Sequence, residues 1–154
     1  MRYTKEALLK LAKLSEQDLE HIHVRRKKQN QLGFAYQLAF VRLHNRFPNQ
    51  EPLEVNQEIT NYISIQLGLS AELIKAYGTR RKTVSEHQEQ IRSYLGLQRF
   101  SDSVSTKLEQ FIFEQACQLE QTPALLALVR AFLRQHAILE PAASTLRRLI
   151  QQCS

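Results

Sequence analysis

The chain has 154 residues, 43% of them hydrophobic, and carries a formal net charge of +6. This length suits one ordinary domain or two small ones, and the composition excludes a disordered or fibrous protein. No apolar run approaches the roughly 20 residues of a membrane span, and the N-terminus lacks the apolar stretch of a signal peptide, so we expect a cytoplasmic protein with no membrane partner.

Apolar residues recur at helical spacing along the first half of the chain. Ser15 followed by Asp18 predicts a capping box at the start of a helix. A long helix follows, apolar on most sides from Leu32 to Phe47, and Pro48 prevents its continuation. The stretch "ISIQL" alternates like a strand, but it lies inside a helical pattern and we interpret it as helix.

Glycine, serine and proline mark the limits of the later helices. Ser70 is expected to cap a short helix that Gly78 closes, and Gly96 stops the next one. Pro123 suits the first turn of another helix, and Pro141 precedes the last. With no hairpin or βαβ pattern, the sequence predicts an all-α fold of about eight helices. The predicted subdomains are residues 1–69 and 70–154.

The positive charge is concentrated in the first third of the chain. Residues 1–50 carry ten Lys and Arg against four Asp and Glu, whereas the rest is balanced. Such segregation creates a local positive field that attracts polyanions. Two windows without acidic residues stand out. The window between Glu20 and Glu51 includes the run Arg25, Arg26, Lys27 and Lys28, and the window between Glu72 and Glu86 holds Lys75, Arg80, Arg81 and Lys82.

The first cation run leads directly into Asn30 and Gln31 at the start of the buried helix. Arginine pairs with guanine, asparagine and glutamine pair with adenine, and lysine mostly contacts phosphate. This stretch therefore favours DNA binding about as strongly as it favours an ordinary solvated charge run. The two interpretations stay open on these residues alone.

The C-terminal region reads as helix, short turn and helix. Its second helix opens with Ser144 and Thr145, followed by Arg147 and Arg148. A helix-turn-helix places such residues of its second helix on base edges. An ordinary helical hairpin that closes a core fits the apolar positions equally well.

Catalytic patterns are weak in this sequence. His21 and His23 point in different directions on a helix, and both aspartates are at expected helix caps. Cys117 and Cys153 are too few and too far apart for a zinc site and are expected to be small core residues. We therefore expect no catalytic residue, no metal site and no cofactor.

Three motifs carry a family resemblance. The pattern N-x-L-G-F-A-x-Q-L occupies residues 30–38 after the cations, Y-G-x-R with a later Thr and Glu-His occupies 77–87, and P-x-x-[ST]-T-L-x-R-L-I occupies 141–150. In this order and spacing the chain resembles the N-terminal region of transposases from the Tn-three family of replicative bacterial transposons. Departures from the pattern occur at Val84 and Ser85, where the family commonly has a basic pair, and at Glu140, where it usually has an apolar residue.

The resemblance implies a non-catalytic, DNA-binding part of a larger transposase. In that family, this region binds the terminal inverted repeats, and a separate ribonuclease-H-like domain cuts and joins DNA. The implied partners are double-stranded DNA and the remainder of the transposase, and self-association of the chain is an open alternative. The candidate DNA-binding residues are Arg25, Arg26, Lys27, Lys28, Asn30, Gln31, Arg80, Arg81, Lys82, His87, Ser144, Thr145, Arg147 and Arg148.

Two alternatives remain at this point. The chain could be a helical interaction module that assembles the transposition complex and touches DNA without sequence preference. It could also be a free-standing repressor, if the natural gene ends near Ser154.

Overall fold

The computed structural model describes residues 3–116 and 122–153. Within these ranges the chain forms nine helices and no strand, which confirms the predicted all-α class. None of the helices in the described ranges has the length and hydropathy needed to cross a membrane. The helices are α1 (Lys5–Ala7, continuing as a π-helical turn Leu8–Ala12), α2 (Glu16–His23), α3 (Lys28–His44), α4 (Gln57–Leu67), α5 (Leu73–Gly78), α6 (Arg81–Leu95), α7 (Asp102–Ala116), α8 (Thr122–Gln135) and α9 (Ala143–Cys153).

The chain divides into two compact units, Met1–Leu95 and Gly96–Ser154. The sequence predicts the boundary earlier, between residues 69 and 70. The difference arises because α5 and α6 both pack against α3, so they belong to the first unit. The first unit carries fifteen Lys and Arg against ten Asp and Glu, whereas the second carries six against five. Nearly all of the net positive charge therefore lies in the first unit.

Helix α3 is the centre of the first unit. It contacts α2, α4, α5, α6 and the π-helical turn, and every residue from Leu32 to Val41 is buried. A helix that is apolar on all sides must be covered on all sides, which explains this position. Gly33 allows the Tyr77 ring of α5 to pack against the backbone of α3, because a Cβ atom at position 33 would lie 2.2 Å from Cδ1 of Tyr77.

Local sequence signals fix several helix ends as predicted. Ser15 Oγ accepts a hydrogen bond from the Asp18 amide at 3.1 Å, and Asp18 Oδ2 accepts one from the Ser15 amide at 3.0 Å. The predicted capping box at the start of α2 is thus confirmed. The stretch "ISIQL" is helical within α4. Helix α3 ends at His44, just before Pro48, because Asn45 adopts a left-handed φ of 54°.

The second unit has its own core between α7, α8 and α9. Phe111 and Phe132 stack beside it with ring centroids 4.4 Å apart. Gln98 exchanges backbone hydrogen bonds with the segment after α8, donating to the Ala137 carbonyl at 2.8 Å and accepting from the Leu139 amide at 3.0 Å. Cys117, which the sequence predicts to be a core residue, lies outside the described residues. The core residues are Val104, Leu108, Ile112, Leu125, Val129, Leu133, Ile138, Leu146, Leu149 and Ile150.

Candidate nucleic-acid interface

The connection between α2 and α3 presents three exposed cations, Arg26, Lys27 and Lys28. Lys27 is the N-cap residue of α3 and makes no side-chain capping hydrogen bond. In the ranges that the structure describes, no ion pair is found for any of the three. An uncapped helix N-terminus carries a partial positive charge that adds to these cations. This end of α3 is suited to an anionic ligand.

Arg25 is placed differently from the three cations that follow it. Its guanidinium carbon lies 3.6 Å from the centroid of the Phe34 ring. One terminal nitrogen donates to the His21 carbonyl and the other to Oε1 of Gln90. Burial lowers the pKa of Arg25 from its ordinary value. The run of four cations therefore consists of three exposed side chains and one that is docked on the protein.

Asn30 and Gln31 are both half-buried in the first turn of α3. Gln31 Nε2 donates to the Arg25 carbonyl at 2.8 Å. Asn30 Oδ1 is enclosed and has no hydrogen-bond partner among the described residues. A bidentate contact with adenine uses both ends of an asparagine amide. Asn30 must therefore rotate its side chain before it can make that contact.

The second cation group lies at the other end of the first unit. Arg80, Arg81 and Lys82 are exposed where α6 begins, and Arg81 forms an exposed ion pair with Glu51 at 2.7 Å. Helices α3 and α6 run antiparallel, because Arg25 reaches Gln90 whereas Gln37, further along α3, donates to the Val84 carbonyl. Arg81 and Gln90 are nine positions apart, which corresponds to about 14 Å along the helix axis. The structure thus keeps the two cation groups apart.

The two positions that depart from the family pattern in α6 have structural roles. Val84 is 1% exposed and belongs to the core. Ser85 Oγ donates to Oε1 of Gln50 at 2.9 Å. Neither side chain replaces a cation, so Arg80, Arg81 and Lys82 supply the positive charge of this helix start.

His87 is buried, with 5% of its surface exposed. The Gln37 amide donates to the Tyr77 hydroxyl at 2.7 Å, which leaves the Tyr77 proton for Nδ1 of His87, also at 2.7 Å. The His87 ring stacks on Tyr77 and contacts the edge of Phe34. Burial, with a smaller contribution from Arg25, lowers the pKa of His87 to about 4. The ring is neutral near pH 7 and faces the core instead of a ligand.

In the second unit, the start of α9 presents polar side chains on one face. Ser144, Arg147 and Arg148 are exposed and Thr145 is half-buried, while the apolar positions of α9 face the core. No ion pair is found for either arginine among the described residues of this unit. These side chains lie on the first turns of α9 and are open to solvent, while the apolar residues of α9 pack in the core of the second unit.

The connection between α8 and α9 comprises residues 136–142. It is longer than the 3–4-residue turn of a standard helix-turn-helix. Within it, Glu140 accepts a hydrogen bond from Nε of Arg130 at 3.1 Å. This ion pair explains how an acidic residue is accommodated where the family pattern has an apolar one.

Two residues at this site are not predicted from the sequence. Val24 lies in the α2–α3 connection, and Gln90 contacts that connection from α6. Gln90 is an exposed residue of α6 that holds Arg25, and Val24 is 73% exposed directly before the cations. Only the contact with Arg25 distinguishes Gln90 from the other polar residues of α6. No periodic signal could have revealed a contact across 65 positions.

The described residues include no group of three His, Cys, Asp or Glu side chains that could hold a metal ion. The two exposed cation groups of the first unit and the start of α9 are therefore the chemically distinctive surfaces of this part of the chain. What they can do is bind anions, phosphate groups in particular.

Comparison with known proteins identifies the family. The sequence pattern of a domain of unknown function, DUF4158, matches residues 2–153. The chain belongs to the DUF4158 family. A relative described as the transposase for transposon Tn1546 of Enterococcus faecium is 32% identical over 136 residues. The transposase for transposon gamma-delta of Escherichia coli (strain K12) is also 32% identical, over 142 residues.

These matches cover most of the DUF4158 chain but little of the relatives. The Tn1546 and gamma-delta alignments include 88% and 90% of this chain, yet the chain spans about 14% of either relative. The matched part is an N-terminal region of Tn-three-family transposases. The predicted resemblance to the N-terminal region of these transposases is thus confirmed.

Proposed function

We propose that the chain is a sequence-specific double-stranded DNA-binding module that recognises the terminal inverted repeats of a transposon. The observation that carries the proposal is the exposed cation group Arg26–Lys28 at an uncapped helix start. It occurs in a chain that is homologous to the N-terminal part of transposases. The remainder of such a transposase would supply cutting and joining, and this chain would supply no catalytic residue.

In the first unit, Arg26, Lys27 and Lys28 would contact backbone phosphates at the start of α3. Phosphate contacts fix the orientation of a protein on the duplex, while side chains at base edges read the sequence. Asn30 and Gln31 follow in the first turn of α3 and would approach the bases. The buried body of α3 holds this turn rigidly, which limits the entropy lost on binding.

Arg80, Arg81 and Lys82 would provide a second group of phosphate contacts. These residues lie at the start of α6, about 14 Å along its axis from Gln90, which Arg25 contacts. They would therefore meet a different part of the same duplex from Arg26, Lys27 and Lys28. Arg81 must exchange its exposed pair with Glu51 for a phosphate, at little cost, because pairs of this kind contribute little.

In the second unit, Ser144, Thr145, Arg147 and Arg148 on the first turns of α9 would contact DNA in the manner of a recognition helix. Two tethered modules that bind neighbouring segments reach a higher joint affinity than either alone.

His87 is not included in the proposed contact surface, because its ring is enclosed in the core of the first unit.

A salt-titrated fluorescence-anisotropy experiment tests the proposal. One duplex carries the terminal inverted repeat of the transposon that encodes the chain, and the other carries the same bases shuffled. We expect a preference of about a hundredfold or more for the genuine end, since specific sites are typically bound roughly 10³–10⁷ times more tightly than non-specific DNA. If about six phosphates are neutralised, the slope of log K against log salt should be near −5. Binding that ignores salt, or equal affinity for both duplexes, would contradict sequence-specific recognition.

A second candidate function is a protein-interaction module of the transposition complex. Ile65 and Phe113 favour it, because they are 77% and 61% exposed although both are large and apolar. This function predicts a dimer whose population rises with concentration in sedimentation, together with weak DNA binding indifferent to sequence.

A further inference from the structure

The structure gives one cation of the α2–α3 connection a set of contacts that its neighbours lack. The Arg25 guanidinium joins three helices: it donates to the carbonyl of His21 in α2, lies over Phe34 of α3 and donates to Gln90 of α6. We propose that Arg25 is a positioning residue, which holds the basic turn Arg25–Lys28 in its DNA-binding geometry and makes no phosphate contact itself. This inference rests on the proposed function.

The main chain of Arg25 is fixed as well as its side chain. Its carbonyl accepts a hydrogen bond from Nε2 of Gln31 at 2.8 Å, and its amide donates to the Ile22 carbonyl at 3.1 Å. The residue is thus attached to α2 on one side and to the first turn of α3 on the other. The exposed cations Arg26 to Lys28 extend from a segment that is held at both of its ends.

The chemistry of the guanidinium fits this role better than a phosphate contact. Bidentate binding of phosphate uses two N–H groups of one planar fork. In Arg25 both terminal nitrogens already donate within the protein, and Nε is enclosed without a partner among the described residues. The face of the group is covered by Phe34. Each terminal nitrogen keeps only one N–H for a further acceptor, so a bidentate phosphate contact through the Nε edge would require Arg25 to leave this arrangement.

A lysine cannot reproduce this arrangement, although it keeps the charge. Its ammonium is a point donor that cannot lie flat on a ring and bridge two acceptors in a fixed geometry. The difference between positioning and phosphate contact is therefore measurable. Arg25→Lys tests the geometry at constant charge, and Arg26→Lys is the matched control at an exposed neighbour.

The test is anisotropy on the two duplexes described above, over a salt series, with the full 154-residue chain. We expect Arg25→Lys to weaken binding to both duplexes about tenfold with the salt slope unchanged, and Arg26→Lys to change the affinity less than about twofold. Gln90→Ala removes one of the three contacts of Arg25 and should weaken binding in the same way but by less, although Gln90 carries no charge. The double variant Arg25→Lys with Gln90→Ala should be no weaker than Arg25→Lys alone, since Arg25→Lys already removes the contact with Gln90.

The outcomes separate this inference from the proposed function. The inference is overturned if Arg25→Lys binds DNA like the unmodified chain. It is also overturned if Arg25→Ala reduces the magnitude of the slope of log K against log salt by about 0.9 while Gln90→Ala leaves binding unchanged. Such a result would leave DNA binding in place. Absence of salt-dependent binding by the unmodified chain would overturn the proposed function, and this inference with it. Thermal unfolding of each variant checks its fold, and Gln90→Ala, at an exposed position, tests the contact if Arg25→Lys does not fold.

Discussion

Arg42 donates two hydrogen bonds to the Asp18 carboxylate, at 2.7 and 2.9 Å, and the Asp18 side chain is 1% exposed. Tyr94 of α6 donates a third, at 2.6 Å, and the Ser15 amide a fourth. One carboxylate therefore caps α2 and also connects α2, α3 and α6. Removal of the Arg42 charge would leave the Asp18 carboxylate buried without its cation, which is far more costly than the loss of a surface pair.

Asp18→Ala should lower the free energy of unfolding by about 3–5 kcal/mol, because a buried pair loses one partner and α2 loses half of its capping box. Urea denaturation followed by circular dichroism measures the change. The control is Lys75→Ala, which removes an exposed pair with Glu72 and should have no measurable effect. If both variants unfold at the same urea concentration, Asp18 does not connect the helices as we describe.

Stability should fall in two separate pH ranges. The folded pKa of His87 is lowered to about 4, below the ordinary value of 6.5. Its contribution is therefore complete above pH 6.5 and is lost as the pH falls to about 4, by about 2 kcal/mol in total. Burial of Asp18 acts to raise its pKa, but hydrogen bonds from Arg42, Tyr94 and Ser15 outweigh this and hold the pKa well below its usual range. The Asp18 contribution is lost only below about pH 4.

The variant His87→Gln checks the first of these ranges. It keeps a polar side chain near Tyr77 but does not titrate. Urea midpoints measured from pH 7 to 4.5 should fall for the unmodified chain and stay nearly level for His87→Gln. Parallel curves for the two proteins would show that His87 is not the group responsible.

Gly33→Ala should destabilise the first unit by about 3 kcal/mol, the upper part of the usual range for overpacking a core. A Cβ atom at this position would overlap the Tyr77 ring, at 2.2 Å from Cδ1. Gly68→Ala is the comparison, because Gly68 has a φ of 66° but open space around it. It should cost only about 1 kcal/mol, from backbone strain. Equal urea midpoints for the two variants would contradict the close contact at Gly33.

The triple variant Arg26→Ala, Lys27→Ala and Lys28→Ala should weaken DNA binding at low salt without changing the thermal unfolding temperature. Three lost phosphate contacts should reduce the magnitude of the salt slope by about 2.7. Lys107→Ala, at an exposed position of α7 in the second unit, is the control for a general loss of positive charge. A slope that stays the same in the triple variant would remove these three residues from the proposed interface.

Asn30→Ala should reduce discrimination between the inverted-repeat duplex and the shuffled duplex by about 1–3 kcal/mol, with little change in affinity for the shuffled one. This follows if Asn30 rotates its enclosed Oδ1 toward a base on binding. Asn61→Ala, on an exposed face of α4, is the matched control. Unchanged discrimination by Asn30→Ala would exclude Asn30 from base recognition.

Much of the fold is determined by signals within a few residues of one another. The capping box of Ser15 and Asp18, the helical interpretation of "ISIQL" and the position of Pro123 all depend on contacts between near neighbours in the chain. Such contacts form wherever the local sequence allows them, so periodicity and capping rules predict them. The buried character of α3 is equally visible, because apolar residues cover all of its sides.

The tertiary structure alone decides which of the candidate side chains face solvent. Arg25 and Arg26 are adjacent and equally charged, yet one lies on Phe34 and the other is exposed. His87 belongs to a motif with exposed neighbours but points into the core. The reason is that these placements depend on which helices pack together. The contact between Arg25 and Gln90 joins residues 65 positions apart, and no local preference of either residue encodes it.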